Sequence, residues 1–406
     1  MALLDRYDGL VVDLDGVVVR VEDPIPEAVA ALSQIEQPTV FVTNNATRRP
    51  DHWVEVLERA GLAVDPDRIL TSAMAAAWLV GGQPPPRVLV IGEEGLRAAL
   101  TDAGIPLVDA PHHADAVVVG WDRQLTWERL RDATLAIAGG ARFVGTNADL
   151  VYPADEGPWP GNGAALAYLR AATGVRPEIA GKPERPLFAL AAERLSLGDG
   201  RILVVGDQLD TDVAAAQRMG WDAALVLTGV ARWSDLVGAA ATPTWVVRHL
   251  GELTGPEPAT IRRAQPGDRP AIRALLEDAG WGLGGAAPRP DPILVAVAAD
   301  DDIVGTIGWQ RDGDTASLQG PVVAASQHGR ETGSHLVAQA LHELRGAGVQ
   351  LTYLLARDGD ASFEQLGFEP AEVDDVPHDV RADAGSHPAV RVRDLGSEAP
   401  RRSTLV

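Results

Sequence analysis

The chain has 406 residues, which is long for one hydrophobic core and predicts two or three domains. Its composition, 46% hydrophobic and 23% charged, is typical of a globular protein. The formal net charge of −22 argues against nucleic acid or an anionic membrane as the partner, and the absence of cysteine excludes disulfides, thiolate metal sites and a cysteine nucleophile.

The first ten residues carry Asp5, Arg6 and Asp8 and contain no apolar h-region, so we expect no signal peptide. No run of about 18 apolar residues occurs, so no membrane-spanning helix is predicted either. We therefore expect a cytoplasmic protein, and a homo-oligomeric state stays open.

Short apolar runs alternate with helical segments from Leu10 to Leu227, which predicts a parallel α/β architecture. Strands are predicted over 9–13, 39–43, 87–91, 116–119, 142–145, 202–206 and 223–227, and helices over 27–34, 50–60 and 211–219. The run Gln83-Pro84-Pro85-Pro86 is hard to place inside one sheet, so we interpret 71–178 as an α/β insert.

A second unit begins after a linker-like stretch around Gly251–Pro258. Strands over 293–299 and 303–310, with a helix before them, indicate an α+β domain. The predicted division is a core of 1–70 and 179–250, the insert 71–178, a C-terminal domain 259–396 and a tail 397–406.

Acidic residues follow the first predicted strand, in the run Asp13-Leu14-Asp15-Gly16-Val17. Ligands of open α/β sheets bind outside the carboxyl ends of the strands, where these two aspartates would lie. One carboxyl can be the ionised nucleophile and the other the protonated acid, and Gly16 permits the tight turn. An acidic strand-to-turn junction explains this motif equally well.

Three further segments follow strands or precede a helix: Thr43-Asn44-Asn45, Gly181-Lys182-Pro183 and the acidic stretch 206–212. Lys182 is the only lysine among 35 lysine and arginine residues, which indicates a position where a planar guanidinium will not serve. Chance retention of this lysine, turn chemistry at Thr43 and helix capping by Asp210 or Asp212 are the alternatives.

Taken in this order, Asp-x-Asp-Gly-Val, Thr, Lys-Pro and Gly-Asp-x4-Asp resemble the haloacid dehalogenase-like phosphatase superfamily. The position of the insert is similar to the subclass that includes 4-nitrophenyl and nucleotide monophosphate phosphatases. The resemblance covers about residues 5 to 235 and extends to the stretches 71–73, 120–123, 146–149 and 160–163.

The resemblance implies a Mg²⁺-dependent phosphatase with a Rossmann-like core and a cap formed by the insert. Asp13 would attack phosphorus, and Asp15 would protonate the leaving oxygen and then activate water. Magnesium would be held by Asp13, the backbone carbonyl of Asp15, and Asp207. The remaining implied roles are phosphoryl binding by Thr43, the Asn44 amide and Lys182, and positioning of Lys182 or a metal-bound water by Asp212.

The cap would close over the core and select the substrate. Asn147 and Asp149 are candidates for contacting a polar leaving group. Their alternative role, capping or turning the loop before Tyr152-Pro153, is equally compatible with the sequence.

From Thr260 onward the chain resembles a Gcn5-related acetyltransferase domain, with 363–368 similar to its closing motif. Glu331 stands where the pyrophosphate loop 328–333 should have glycine, and Phe363 stands where a tyrosine acid is usual. His335 and His342 are expected at surface positions of a helix. We therefore expect no acetyl-CoA binding and favour a sensor or oligomerisation module.

Phosphatases that carry such a C-terminal domain resemble bacterial glycerol-3-phosphate phosphatases. This resemblance implies a small phosphorylated metabolite as the partner, with glycerol 3-phosphate as the expected substrate. Phosphoglycolate, a nucleoside monophosphate and pyridoxal phosphate are alternative substrates, and a bifunctional phosphatase/N-acetyltransferase is the alternative function.

Overall fold

The structure of the protein is a computed structural model, and it describes residues 2–154, 157–279, 293–327, 331–356, 361–371 and 389–396. These residues form two compact units. The N-terminal unit contains Leu4–Gly229 and His249–Thr254, and the C-terminal unit contains residues 2–3, Val230–Arg248 and the described residues from Gly255 onward. The domain boundaries predicted from the sequence stay predictions.

The N-terminal unit has strands and helices in alternation, which confirms the predicted α/β fold class. Its strands are β1 Gly9–Asp13, β2 Val19–Arg20, β3 Asp23–Pro24, β4 Thr39–Thr43, β5 Ile69–Thr71, β6 Val88–Ile91, β7 Ala116–Val119, β8 Arg142–Gly145, β9 Val151–Ala154, β10 Gly157–Pro160, β11 Glu178–Ile179, β12 Ile202–Gly206 and β13 Asp222–Val226. Its α-helices are α1 Pro26–Leu32, α2 Pro50–Arg59, α3 Ser72–Val80, α4 Glu94–Asp102, α5 Trp127–Ala138, α6 Asn162–Thr173, α7 Arg185–Leu195 and α8 Ala214–Met219.

Five parallel strands form the core sheet of this unit, in the order β13-β12-β1-β4-β5. Every residue of β1 and β12 is buried, which explains why both read as unbroken apolar runs rather than alternating ones. Val12 of β1 is in register with Val205 of β12 and with Phe41 of β4. Since the three strands run in the same direction, the loops that follow them lie side by side at one edge of the sheet.

A second parallel sheet, in the order β11-β8-β7-β6, lies within the predicted insert and its C-terminal boundary. Its apolar face packs against α5 through Ala133 and Ile137 and against α6 through Leu166 and Leu169. The antiparallel hairpin of β9 and β10 follows β8 and carries two partly exposed aromatic residues, Tyr152 at 40% and Trp159 at 38%.

The C-terminal unit is built around a mainly antiparallel sheet. The strands of this sheet are β15 Thr260–Arg263, β16 Ile293–Val297, β17 Ile303–Asp312, β18 Thr315–Val323, β19 Leu351–Ala356, β20 Glu369–Ala371 and β21 Ala389–Asp394, and the short strand β14 Trp245–Val247 lies outside it. The α-helices of the unit are α9 Arg269–Asp278 and α10 Thr332–Gly346. The sheet order is β15-β16-β17-β18-β19-β21-β20, in which β18 and β19 pair in parallel. Among the described residues, no helix combines the length and the apolar character needed to cross a bilayer.

The helix predicted over 211–219 is confirmed, although it begins at Leu209 and is π-helical up to Val213 before it becomes α-helical at Ala214. The prediction of a linker is wrong in detail. The stretch read as a linker starts with a short 3₁₀ helix, Leu250–Thr254, in which Leu250 and Leu253 are fully buried. Burying two leucine side chains outweighs the turn preference of the intervening glycine.

Candidate active site

Three buried aspartates meet at the carboxyl edge of the core sheet. Asp13 ends β1, Asp207 directly follows β12, and Asp212 lies in the π-helical segment after it. One carboxylate oxygen from each of the three lies within 4.8 Å of the others. Such a set of hard oxygen donors fits Mg²⁺, which takes ligands at about 2.0–2.1 Å and retains several waters.

The side chain of Lys182 lies between two of these carboxylates. Its Nζ donates to Asp13 Oδ1 at 2.6 Å and to Asp212 Oδ1 at 2.7 Å, and all three side chains are at most 5% exposed. Burial by itself disfavours the ammonium form, but the two carboxylates hold the pKa of Lys182 above its ordinary range. The site therefore has a fixed positive charge directly beside Asp13.

The carboxyl groups of Asp13 and Asp15 are both shifted towards the protonated form. Burial raises the pKa of Asp13 well above its ordinary value, Lys182 opposes this shift, and the charges of Asp212 and Asp207 add to it. Burial raises the pKa of Asp15 to about 6, again against the influence of Lys182. A bound divalent cation would favour the ionised form of Asp13, because opposite charges stabilise each other.

Asp212 uses both of its carboxylate oxygens within the protein. Oδ1 accepts from Lys182, and Oδ2 accepts from the backbone N–H of Gln208 at 3.2 Å and from Thr211 Oγ1 at 3.3 Å. Of the two roles that the sequence left open for Asp212, this geometry supports positioning of Lys182.

The loop after β4 is joined to the loop that carries Lys182. The backbone N–H of Lys182 donates to Asn44 Oδ1 at 2.8 Å, and Asn44 Nδ2 donates to the Lys182 carbonyl at 3.1 Å. Thr43 is 2% exposed, and its Oγ1 accepts from the Asn45 N–H at 3.0 Å. These bonds hold the predicted phosphoryl-binding residues of the two loops in one place.

Two side chains from the predicted insert donate to the Asn44 carbonyl. Ser72 Oγ donates at 2.6 Å and Asn147 Nδ2 at 2.8 Å. In turn, Asn162 Nδ2 donates to the carbonyl of Asn147 at 2.8 Å. Neither Ser72 nor Asn162 was predicted as a site residue, although both lie in stretches that carried the family resemblance. Their hydrogen bonds to Asn44 and to Asn147 become visible only in three dimensions.

The predicted substrate contacts of Asn147 and Asp149 stay predictions. The amide nitrogen of Asn147 donates to Asn44, and its Oδ1 accepts from the backbone N–H of Asp149 at 3.3 Å, so both ends of this side chain bind protein groups. Burial raises the pKa of Asp149, while a hydrogen bond with Asn44 opposes the shift. The structure places both residues beside the loop of Asn44.

The residues singled out in the C-terminal domain form internal contacts of the C-terminal unit. Trp233 Nε1 donates to Glu331 Oε2 at 3.1 Å, and the Trp233 ring lies 5.9 Å from the ring of His335. His342 Nδ1 lies 3.2 Å from the N–H of Gly238, which donates to it. Both histidines, expected at surface positions of a helix, are half-buried, because Trp233 and Gly238 of the segment 233–238 contact them.

Burial lowers the pKa of His335 to about 4, so this ring is neutral at physiological pH. Phe363 is 6% exposed and packs edge-on against Phe368 with ring centroids 6.4 Å apart. Residues 328–330 of the predicted pyrophosphate loop and the tail 397–406 lie outside the described residues.

Three protein-family models match separate segments of the chain. The haloacid dehalogenase-like hydrolase model matches residues 10–106, a second model of haloacid dehalogenase-like hydrolases matches 179–253, and the acetyltransferase (GNAT) family model matches 262–368. An acid sugar phosphatase of Staphylococcus epidermidis is 36% identical over 251 residues, which are 61% of this chain and 96% of that protein.

Two solved structures are similar as well. A glycerol phosphate phosphatase from Mycobacterium tuberculosis, in complex with magnesium, is 30% identical with a TM-score of 0.69 and is matched over 90% of this chain and 98% of that one. A p-nitrophenyl phosphatase from Archaeoglobus fulgidus is 34% identical with a TM-score of 0.58, over 61% of this chain and 98% of that one.

The buried ion pairs of Lys182 generate a stability prediction. Lys182→Met keeps the side-chain length but leaves Asp13 and Asp212 without their cation, so we expect the free energy of unfolding to fall by about 3–5 kcal/mol at pH 7. Lys182 lowers the pKa of Asp13, so its removal should raise that pKa further and make the folded variant bind more protons than the folded wild type. The deficit should therefore shrink as the pH falls from 7 towards 5.

Urea unfolding without divalent ions measures this difference. Arg87→Met is the control, because the Arg87–Asp115 pair is about half exposed at 49% and 47%, so solvent screens it and little stability should be lost with it. A Lys182→Met deficit no larger than that of the control would contradict the interpretation.

Proposed function

This chain belongs to the haloacid dehalogenase-like hydrolases, is a phosphatase and carries a C-terminal GNAT-family domain, and we propose that it hydrolyses glycerol 3-phosphate through an aspartyl-phosphate on Asp13. The observation that carries the proposal is the buried Lys182, which lies between Asp13 and Asp212 at the carboxyl edge of the core sheet. The fixed positive charge of Lys182 offsets the repulsion between the carboxylate of Asp13 and a dianionic phosphate, so this arrangement suits attack by Asp13 on phosphorus.

Magnesium fits the site by its donor chemistry. Asp13, the backbone carbonyl of Asp15, and Asp207 would hold the ion, and the carboxylates of Asp13 and Asp207 belong to the set within 4.8 Å. Bound Mg²⁺ neutralises phosphoryl oxygens and favours the ionised Asp13. The magnesium complex of the mycobacterial relative supports this assignment.

In the first step a carboxylate oxygen of Asp13 forms a bond to phosphorus while the bond from phosphorus to the ester oxygen breaks. The proton of Asp15 passes to that ester oxygen, which leaves as an alcohol. In the second step Asp15 takes a proton from water, the water oxygen bonds to phosphorus, and the Asp13–phosphorus bond breaks to release phosphate. Alkoxides are poor leaving groups, so a proton donor contributes most for an alkyl ester.

Thr43, the Asn44 amide and Lys182 would hold the phosphoryl oxygens during both steps. The hydrogen bonds between Asn44 and the backbone of Lys182 support this grouping, because they fix the two loops relative to each other. Positioning of this kind accounts for most of the catalysis of phosphoryl transfer, since the protein performs little other covalent chemistry.

The substrate assignment is supported by the names of similar proteins, an acid sugar phosphatase and a glycerol phosphate phosphatase. Both names describe phosphate on a small polyhydroxylated carbon chain. The mycobacterial phosphatase is matched over 90% of this chain, which reaches into the C-terminal domain, and this favours glycerol 3-phosphate over a sugar phosphate.

A panel of phosphomonoesters with Mg²⁺ tests the substrate assignment. Glycerol 3-phosphate should have a higher kcat/KM than phosphoglycolate, nucleoside monophosphates, pyridoxal phosphate or hexose phosphates. The Asp13→Asn variant is the control and should retain less than about a tenth of the activity, because its amide is a poor nucleophile. A nucleotide or sugar phosphate at the head of the panel would overturn the substrate, and an active Asp13→Asn variant would overturn the mechanism.

The raised pKa of Asp15 predicts a pH dependence. The protonated fraction of a group with a pKa of about 6 falls roughly tenfold per pH unit above that value, so proton donation to an alkoxide should decline there. Phosphate esters also titrate near pH 6, so the useful quantity is the kcat/KM for glycerol 3-phosphate divided by that for 4-nitrophenyl phosphate. We expect this ratio to fall above pH 6.

In Asp15→Asn the same ratio should be low and independent of pH, because the aryl leaving group needs no proton while the alkyl group does. A wild-type ratio that stays constant between pH 5 and 8 would exclude Asp15 as the acid.

We propose further that the GNAT-family domain does not bind acetyl-CoA. The carboxylate of Glu331 accepts the Trp233 indole N–H, and Phe363 is packed in the core, so neither residue offers what the cofactor or an acetyl acceptor needs. Titration calorimetry of the full chain with acetyl-CoA should give no heat at micromolar concentrations. Binding with a micromolar Kd would restore the bifunctional alternative.

A further inference from the structure

The turn that carries Asp15 is fixed by hydrogen bonds to both backbone polar groups of Gly16. The backbone N–H of Gly16 donates to the Val19 carbonyl at 2.7 Å, and its own carbonyl accepts a hydrogen bond from Thr228 Oγ1 at 2.5 Å. Gly16 has a φ of +83°, a conformation that only glycine adopts at low cost. Because glycine also adopts many other conformations easily, its own preference does not fix this one. External contacts must therefore fix this turn.

Thr228 belongs to the loop directly after β13, two residues beyond the end of that strand. Its carbonyl accepts from Arg20 Nε at 2.8 Å, so the residue is bonded on both its side chain and its backbone to the segment 16–20. The turn after β1 and the loop after β13 are thereby joined, although 212 positions separate the two bonded residues.

Gly229, the next residue, packs against the metal-site carboxylate. A Cβ at Gly229 would lie 1.9 Å from Asp207 Oδ2, and a Cβ at Gly16 would lie 2.4 Å from the same atom. Gly16, Asp207 and Gly229 therefore form a close-packed group in which no side chain can be added. The packing on Asp207 is made by the two glycines and does not involve the Thr228 hydroxyl, so losing that hydroxyl releases the Asp15–Gly16 peptide and leaves the contacts of Asp207 in place.

We propose that Thr228 is a positioning residue for phosphoester hydrolysis. By donating to the Gly16 carbonyl, its hydroxyl holds the Asp15–Gly16 turn so that the Asp15 carboxyl meets the ester oxygen of the substrate. Thr228 itself contacts no reacting atom in this assignment. The inference rests on the proposed role of Asp15 as the proton donor.

Two substitutions separate the hydroxyl of Thr228 from its bulk. Thr228→Val keeps the shape and removes the donor, whereas Thr228→Ser keeps the donor and removes a methyl group. We expect Thr228→Val to lower kcat/KM for glycerol 3-phosphate about tenfold or more, since small misplacements of catalytic groups are costly. Thr228→Ser should remain within about twofold of the wild type.

The leaving group distinguishes positioning of Asp15 from general damage. With 4-nitrophenyl phosphate, which needs no proton from Asp15, Thr228→Val should lose less than about threefold in kcat/KM. Thermal unfolding confirms that the variants fold, and Thr228→Ala replaces the valine variant if that protein fails to fold. Equal losses for both esters, or a serine variant as impaired as the valine variant, would overturn the proposal.

A double-mutant cycle with Asp15→Asn distinguishes a failure of the Thr228 proposal from a failure of the role proposed for Asp15. If Thr228 acts through Asp15, adding Thr228→Val to Asp15→Asn should cause no further loss with glycerol 3-phosphate. A further tenfold loss would overturn the positioning role and leave the role of Asp15 intact. If instead Asp15→Asn alone retains the wild-type ratio between the two esters, the proposed function of Asp15 fails independently of any Thr228 result.

Discussion

The active site depends on the contact between one buried ammonium group and two buried carboxylates. Lys182 is 3% exposed, and its Nζ lies 2.6 Å from Asp13 and 2.7 Å from Asp212. A buried carboxylate without a partner would protonate or open the fold, so this cation stabilises the ionised form of the buried Asp13, to which we assign the nucleophilic role. Arginine could not replace it simply, since a planar guanidinium does not present one point charge to two carboxylates at these distances.

The loops around this contact are connected by hydrogen bonds that converge on Asn44. Its side chain binds both backbone polar groups of Lys182, and its carbonyl accepts from Ser72 and from Asn147. Residues of the insert thus bind the same loop that we assign to phosphoryl binding. A change in the position of the insert would reach this loop through these two donors, which gives the insert a physical means of affecting the groups that we assign to phosphoryl binding.

The C-terminal unit has the fold of the GNAT family, and Glu331, His335 and Phe363 all form contacts inside this unit. Glu331 accepts from Trp233, His335 lies against the same indole ring, and Phe363 packs against Phe368. Each of these contacts stabilises the unit without requiring a cofactor. The fold of this unit therefore does not require a particular chemistry, because fold and function are separable.

The sequence by itself determined the parallel core and the positions of its acidic groups. Unbroken apolar runs mark β1 and β12 as strands buried on both faces, and the residues after such strands must lie at one edge of the sheet. Asp13, Asp15 and Asp207 could be placed in this way, and Lys182 stood out as the only lysine. An apolar run and the residue that follows it are adjacent in the chain, and a residue count needs no structure, so these inferences required no knowledge of which distant residues touch.

Only the tertiary structure decided which of these groups touch. Lys182 and Asp13 are 169 positions apart, Asn147 and Asn44 are 103 apart, and Trp233 and Glu331 are 98 apart. Hydrogen bonds of this kind depend on distances of a few tenths of an ångström between loops, which no periodicity encodes. The contact of Asp212 with Lys182 rather than with another partner, the use of Asn44 as a common partner and the contact of His335 with Trp233 were therefore beyond the reach of the sequence pattern.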